Sequence, residues 1–220
     1  MEFYVNFISE VKKMRTENKV IEIYKFSELS ETGRKKAMED RLEFNNETWE
    51  ADLNCDLIHD LKNIGIEDLE ISYSGFYSQG DGLCFDFNLT ITKLEELQKI
   101  ADILEFEIPT KIAGWLKRDN IEFILETCKN FFSTHYSHEK TRNIEFNCEY
   151  FDYDDNEIKH NIVAEFILKF ETLFSEFYIS KCQEIYSEFE ESYNYGMSDE
   201  CIKEEILNND YEFTIDGKIY

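Results

Sequence analysis

Between Asn156 and Ser192 an apolar side chain returns every three or four residues, through Ile162, Phe166, Phe170, Leu173, Phe177, Cys182, Ile185 and Phe189. No proline or glycine interrupts the run, and Gly196 stands where such a helix ends. A helix this long with one apolar stripe has to be covered by other elements, and that need organises the rest of the chain.

The covering elements are read from local chemistry. Val20–Phe26 is β-branched and aromatic and predicts a strand. Ser30 then caps a helix carrying Ala37, Met38 and Leu42. Trp49, Leu53, Leu57 and Leu61 predict a second helix over Glu47–Asn63, closed by Gly65. Asp68–Tyr77 and Leu83–Ile91 alternate as the arms of a hairpin. Lys93–Phe106 is amphipathic, and residues 110–137 are read as helical through Ile112, Trp115, Leu116, Ile121, Ile124 and Leu125. Arg142–Asp152 predicts a further strand, Ser198–Asn209 a short helix, and Tyr211–Tyr220 a small hairpin about Asp216-Gly217.

Together these predict an α+β fold: an antiparallel sheet of about four strands with helices on one face, a helical C-terminal half and a terminal hairpin. Pro109 is the only proline and no Pro/Gly/Ser-rich linker is visible, so a single domain over residues 1–220 is expected. Within it, residues 1–19 form an N-terminal extension, 20–152 the sheet-containing part and 153–220 the helical part.

Charge narrows the partners. Forty-eight acidic residues against 23 basic ones leave a net charge of −25. Such a chain repels nucleic-acid backbones and anionic membranes, and it draws in proteins with basic clefts. No direct nucleic-acid or membrane partner is expected. The six cysteines are scattered without a Cys-x-x-Cys pair and read as reduced, buried side chains. With no signal-peptide pattern at Met1–Val5, the cytoplasm is the expected compartment.

Candidate sites are few. Ser78, Gln79, Gly80, Asp81 and Gly82 form a tight hairpin whose backbone amides offer an anion nest or an exposed contact tip. It lacks the phosphate-loop pattern. Two acidic tracts interleave carboxylates with aromatics. One holds Tyr150, Asp152, Tyr153, Asp154, Asp155 and Glu157; the other begins with Glu184, Glu188, Glu190 and Glu191. Acids at helical spacing repel one another, so these tracts are not arranged for helix stability. They predict a partner-binding surface that imitates the charge spacing of a nucleic-acid backbone, with tyrosines as anchors. Cys128, His135 and His138 match no zinc spacing, and no metal or cofactor is expected. No nucleophile motif or acid–base constellation stands out, so an enzyme is not expected.

The run Tyr24–Ser30 before a Lys-rich helix, Trp49 in an acidic context, Ile71–Gly82 and Tyr211–Lys218 resemble a family of uncharacterised tailed-phage proteins. The family is marked by the Ser-Gln-Gly-Asp-Gly hairpin, and some members are loosely labelled antitoxin. The resemblance is patchy over residues 20–220, strongest at the hairpin, and leaves residues 1–19 outside. It implies a phage or prophage origin and supplies no catalytic residues. The expected function is therefore an acidic, phage-derived inhibitor that occupies the basic nucleic-acid cleft of a host defence protein, such as a CRISPR effector nuclease. The alternatives are a protein that binds or sequesters a small nucleotide at Gln79–Gly82, and an antitoxin-like accessory protein.

Overall fold

The computed structural model describes residues 20–51, 56–67, 69–118, 121–129, 137–150 and 157–220. The expectation for residues 1–19 lies outside them. In chain order the elements are β1 (Tyr24–Lys25), α1 (Glu31–Thr48), α2 (Asp56–Asn63), β2 (Glu70–Tyr73), β3 (Leu83–Asp86) and β4 (Asn88–Ile91). Next come α3 (Leu94–Ile103), α4 (Thr110–Leu116), β5 (Ile121–Lys129), β6 (Arg142–Tyr150), α5 (Glu157–Gly196), α6 (Asp199–Asn208) and β7 (Glu212–Phe213). The fold is α+β, with a helical C-terminal half and a closing hairpin. Its strands are shared among three small antiparallel sheets, β1-β7, β2-β3 and β4-β5-β6, rather than gathered in one.

The chain divides into two compact units. A central unit spans residues 49–196, and a terminal unit joins residues up to Thr48 with those from Met197 on. No linker composition marks this division, because one unit is assembled from both ends of the chain.

In the central unit α5 runs for 40 residues, on the order of 60 Å. Its stripe of Val163, Phe166, Phe170, Phe174, Tyr178, Cys182, Ile185 and Phe189 is buried throughout. The rings of Phe123 and Phe146 from the three-stranded sheet stack against it, with Phe146 and Phe170 centroids 4.5 Å apart. The same helix also closes sheet edges. The Tyr178 hydroxyl, at the centre of the core, accepts from Phe85 N–H at 3.2 Å and donates to Phe85 C=O at 3.0 Å. It thus satisfies both backbone groups of a β3 residue. Glu171 accepts from the Phe146 amide on β6 at 3.3 Å. Edge groups that would otherwise invite another strand are answered by helix side chains.

Several expectations need correction here. Residues 110–137 are not one helix: α4 stops at Leu116 and β5 follows. Ile121, Phe123 and Leu125 are fully buried at a spacing of two, and pairing to both β4 and β6 overrides the helical reading. The helix expected over Glu47–Asn63 is also divided. α1 continues to Thr48, α2 starts at Asp56, and Trp49 leaves the helical stripe to join an aromatic cluster. The strand expected over Val20–Phe26 is reduced to Tyr24–Lys25, the only two of these residues that pair with β7. The arms of the Ser78–Gly82 hairpin pair as β2 and β3, from Glu70↔Asp86 to Tyr73↔Leu83. The chain then changes partner at Phe87 and continues as β4.

The terminal unit is built on Phe26, Leu29, Ala37, Ile202, Ile206 and Phe213. Ser30 caps α1 by accepting from Gly33 N–H, and Ser198 caps α6 by accepting from Cys201 N–H. Arg41 of α1 pairs with Glu205 of α6, which also accepts from Asn45. The Asp216-Gly217 turn lies directly on α1. A Cβ at Gly217 would stand 2.2 Å from the Gly33 carbonyl oxygen, and its φ of +86° is a conformation glycine alone adopts freely.

Candidate partner-binding surface

The hairpin turns tightly because its own side chains close it. Asp81 N–H donates to the Ser78 carbonyl at 3.1 Å, and the Asp81 carboxylate accepts from Ser78 N–H at 2.6 Å. Gly80 takes a φ of +95°. Gly82 is required by proximity instead: a Cβ there would fall 2.4 Å from the Cβ of His138. Tyr77, with a φ of +78°, is a tyrosine in a conformation that favours glycine, and the residue is 70% exposed.

The last turns of α5 hold this hairpin. Tyr186 donates its hydroxyl to the Gly75 carbonyl at 3.0 Å, and Tyr77 donates to Asn194 Oδ1. Phe76 lies 5.1 Å from the ring of Tyr193 and 5.5 Å from that of Tyr186. Trp49 meets Phe76 and Tyr193 edge-on, and Tyr73 meets Phe189. Burial, with the negative charge of Asp81 and Glu190 nearby, pushes the Tyr186 hydroxyl above its ordinary range. Two features that stand more than a hundred positions apart in sequence, the hairpin and the acidic tract of α5, therefore form one surface.

The acids of that tract differ in how they are spent. Glu184 accepts from Lys181 at 2.5 Å and from Ser180 at 2.8 Å, and the Lys181 pairing holds it below the usual carboxylate range. Glu188 and Glu191 are exposed, and with Glu184 they line a shallow seam of ≈ 680 Å³ where α5 passes Leu57 of α2. Glu190 is half-buried. Of the other predicted residues, Asp152, Tyr153, Asp154 and Asp155 lie outside the described residues, as do the side chains of Tyr150 and Glu157.

A second acidic surface was not singled out in the sequence. On the open face of the three-stranded sheet Glu122 stands directly opposite Glu149, and Glu126 opposite Glu145. Like charges so placed destabilise a sheet. Asn88 donates to Glu126 at 2.7 Å and relieves part of this. The signal was a spacing of four between acids on each strand, meaningful only once the register is known. Donor atoms of Glu126, Cys128 and Glu145 lie within 4.8 Å of one another, as metal ligands would. Burial and a hydrogen bond to Glu145 push the Cys128 thiol up to about 11. Cys128 thus keeps company with glutamates. His138 instead packs on Gly82, and His135 lies outside the described residues.

Asp86 pairs with Arg142 and accepts from the Thr127 hydroxyl. Burial raises its carboxyl, but these partners outweigh that and hold it below the usual range. Among the described residues no helix is long and apolar enough to cross a membrane.

Residues 49–199 match the family described as Domain of unknown function (DUF8835), and the chain belongs to that family. The match covers the whole of the central unit, so the hairpin and α5 lie inside it. No curated protein and no solved structure matches the chain.

Proposed function

We propose that this DUF8835 member is a non-enzymatic binding protein whose hairpin–α5 surface engages the basic, nucleic-acid-binding cleft of another protein. The observation that carries the reading is the joining of an exposed, conformationally fixed Tyr77 to a helix edge bearing Glu188, Glu190 and Glu191. Aromatic anchors beside carboxylates that have no ion pair among the described residues suit a partner rich in arginine and lysine, because rings and carboxylates both attract those side chains. On α5 the exposed carboxylates of Glu188 and Glu191 stand about 4.5 Å apart along the axis, a dense negative strip of the kind a basic cleft attracts. A phage-encoded inhibitor of a host defence nuclease, a CRISPR effector among them, fits this chemistry and the net charge of −25.

A phosphate-bearing ligand at Gln79–Gly82 is less well supported. The Ser78 amide is already taken by the Asp81 carboxylate, which itself repels an anion.

The test is a salt series on capture of candidate nucleases, with DNA as competitor. Binding should weaken by about tenfold or more between 50 and 200 mM salt. It should be displaced by DNA, and it should be lost in Glu188→Lys/Glu191→Lys. Capture that ignores salt and DNA would remove nucleic-acid imitation as the mechanism.

A further inference from the structure

Helix α5 answers the outer edge of β6 at Phe146 and leaves it open at Ile144. Ile144 stands opposite Thr127, whose N–H is spent on the Phe87 carbonyl, on the far side of β5, at 3.2 Å. Bonds to the two neighbours alternate along an antiparallel strand, so Ile144 and Thr127 exchange none. The N–H and C=O of Ile144 therefore point away from β5. The Phe146 N–H points the same way and is met by Glu171. The Arg142 N–H, on the other side, is met by the Glu139 carbonyl. Between them the backbone of Ile144 has no hydrogen-bond partner among the described residues.

In front of it lies space. A cavity of ≈ 460 Å³ opens between this stretch of β6 and Glu171, Ser175 and Ile179 of α5. Ile179 is 39% exposed there. The charge around the cavity is one-sided. Arg142, which lines it, is bonded to both carboxylate oxygens of Asp86. Glu145 and Glu171 line it too, and neither has an ion pair among the described residues.

We infer that this slot accepts an extended segment of another protein as an added strand, with a small apolar residue opposite Ile144 and a lysine or arginine on either side of it. A backbone N–H and C=O side by side select an extended peptide, in which one residue supplies both matching groups. The apolar side chain of that residue falls on the face of Ile144, beside Ile179. Its neighbours fall on the opposite face, where Glu145 stands exposed. A second copy of this edge is a poor occupant, because it would bring glutamate against glutamate. None of these residues belongs to the hairpin–α5 surface, so the slot stands whether or not that surface binds a nuclease.

The experiment uses the full chain, isotopically labelled for amide exchange, and three end-blocked peptides. They are Thr-Lys-Val-Lys-Thr, the same peptide N-methylated at valine, and Thr-Glu-Val-Glu-Thr. In the free protein the Ile144 amide should exchange about tenfold or more faster than those of Asn143 and Glu145, which bond to β5. The lysine peptide should bind saturably and slow Ile144 to the rate of those neighbours. N-methylation should weaken binding by about fivefold or more, and the glutamate peptide should not saturate. Glu145→Lys should weaken the lysine peptide by a similar factor without lowering the melting temperature. Four results would each overturn the proposal: an Ile144 amide already as slow as its neighbours, lysine-peptide binding that is absent or leaves it fast, undiminished binding of the N-methylated peptide, or protection that rises with protein concentration alone, which would assign the edge to a second copy.

Discussion

Replacing Tyr178 by phenylalanine deletes one oxygen from the middle of the central unit and nothing else. That oxygen accepts from Phe85 N–H and donates to Phe85 C=O, at 3.2 and 3.0 Å, in a side chain only 1% exposed. Phenylalanine keeps the ring contact with Phe85, whose centroid lies 4.6 Å away, so packing is conserved while two buried backbone groups lose their partner. Each such orphan costs about 1–3 kcal/mol. Cys182, the neighbouring polar group, is a weak donor and a poor replacement. The expected loss is roughly 2–6 kcal/mol, or roughly 5–20 °C in melting temperature for a unit of this size. Urea unfolding followed by the fluorescence of Trp49 and Trp115, both in the central unit, measures it. Tyr186→Phe is the control. It removes a hydroxyl bonded to Gly75 at 3.0 Å near the surface, where water can substitute, and should cost less than about 1 kcal/mol. If Tyr178→Phe falls within about 0.5 kcal/mol of the parent, the hydroxyl is not what satisfies the β3 edge, and the account of α5 as an edge cover fails.

Three further outcomes follow from the same geometry. Burial pushes the Cys182 thiol up to about 12 and Cys128 to about 11, and raises Cys84 too, whereas unfolded thiols ionise near about 8.5. Above that pH the unfolded chain releases protons the folded chain keeps, so the urea midpoint should be flat from about pH 6 to 8 and fall steadily to about 11; a flat profile to pH 10.5 would contradict the burial. Gly217→Ala places a Cβ 2.2 Å from the Gly33 carbonyl at a φ of +86°, and should destabilise the terminal unit by more than about 2 kcal/mol while the tryptophan-reported central transition stays put. Glu149→Lys turns a like-charge pair with Glu122 into an attractive one and should raise the central unit's stability by about 0.3–1 kcal/mol at low salt; no gain would mean the opposed glutamates do not strain the sheet.

What the sequence discloses is local. The course of α5 and its end at Gly196, the caps Ser30 and Ser198 and the Asp216-Gly217 turn all depend on residues within a few positions of one another, and each stands where its chemistry places it. Within α5, however, Val163, Phe174 and Tyr178 take the buried places that the periodicity gives to Ile162, Leu173 and Phe177, which are only partly buried. β5 is different. Ile121, Phe123, Ile124 and Leu125 fit a helix face as well as a strand, and only β4 and β6, brought in from elsewhere in the chain, decide between them. The partner change at Phe87 and the opposed glutamates depend on register, which no single segment contains. At the candidate surface, the hairpin and the acidic tract were each visible alone. Their joining through Tyr186, Asn194 and Tyr193 was not, because aromatic residues at helical spacing look the same whether they face a core or a loop.

The terminal unit also sets a schedule for synthesis. Lys25 finds its partner carboxylate on Asp210, 185 positions later, and Tyr24 waits for Phe213. At a translation rate of about 5–20 residues per second, the first strand emerges roughly 10–40 s before its mate exists. The residues of the DUF8835 match are all made within that interval, so a nascent chain can complete its family domain while Phe26 and Leu29 still lack Ile202, Ile206 and Phe213 to pack on. For that period the newborn protein depends on whatever shields its leading segment, and strains with slower elongation or depleted chaperones should accumulate chains folded in the middle and open at both ends.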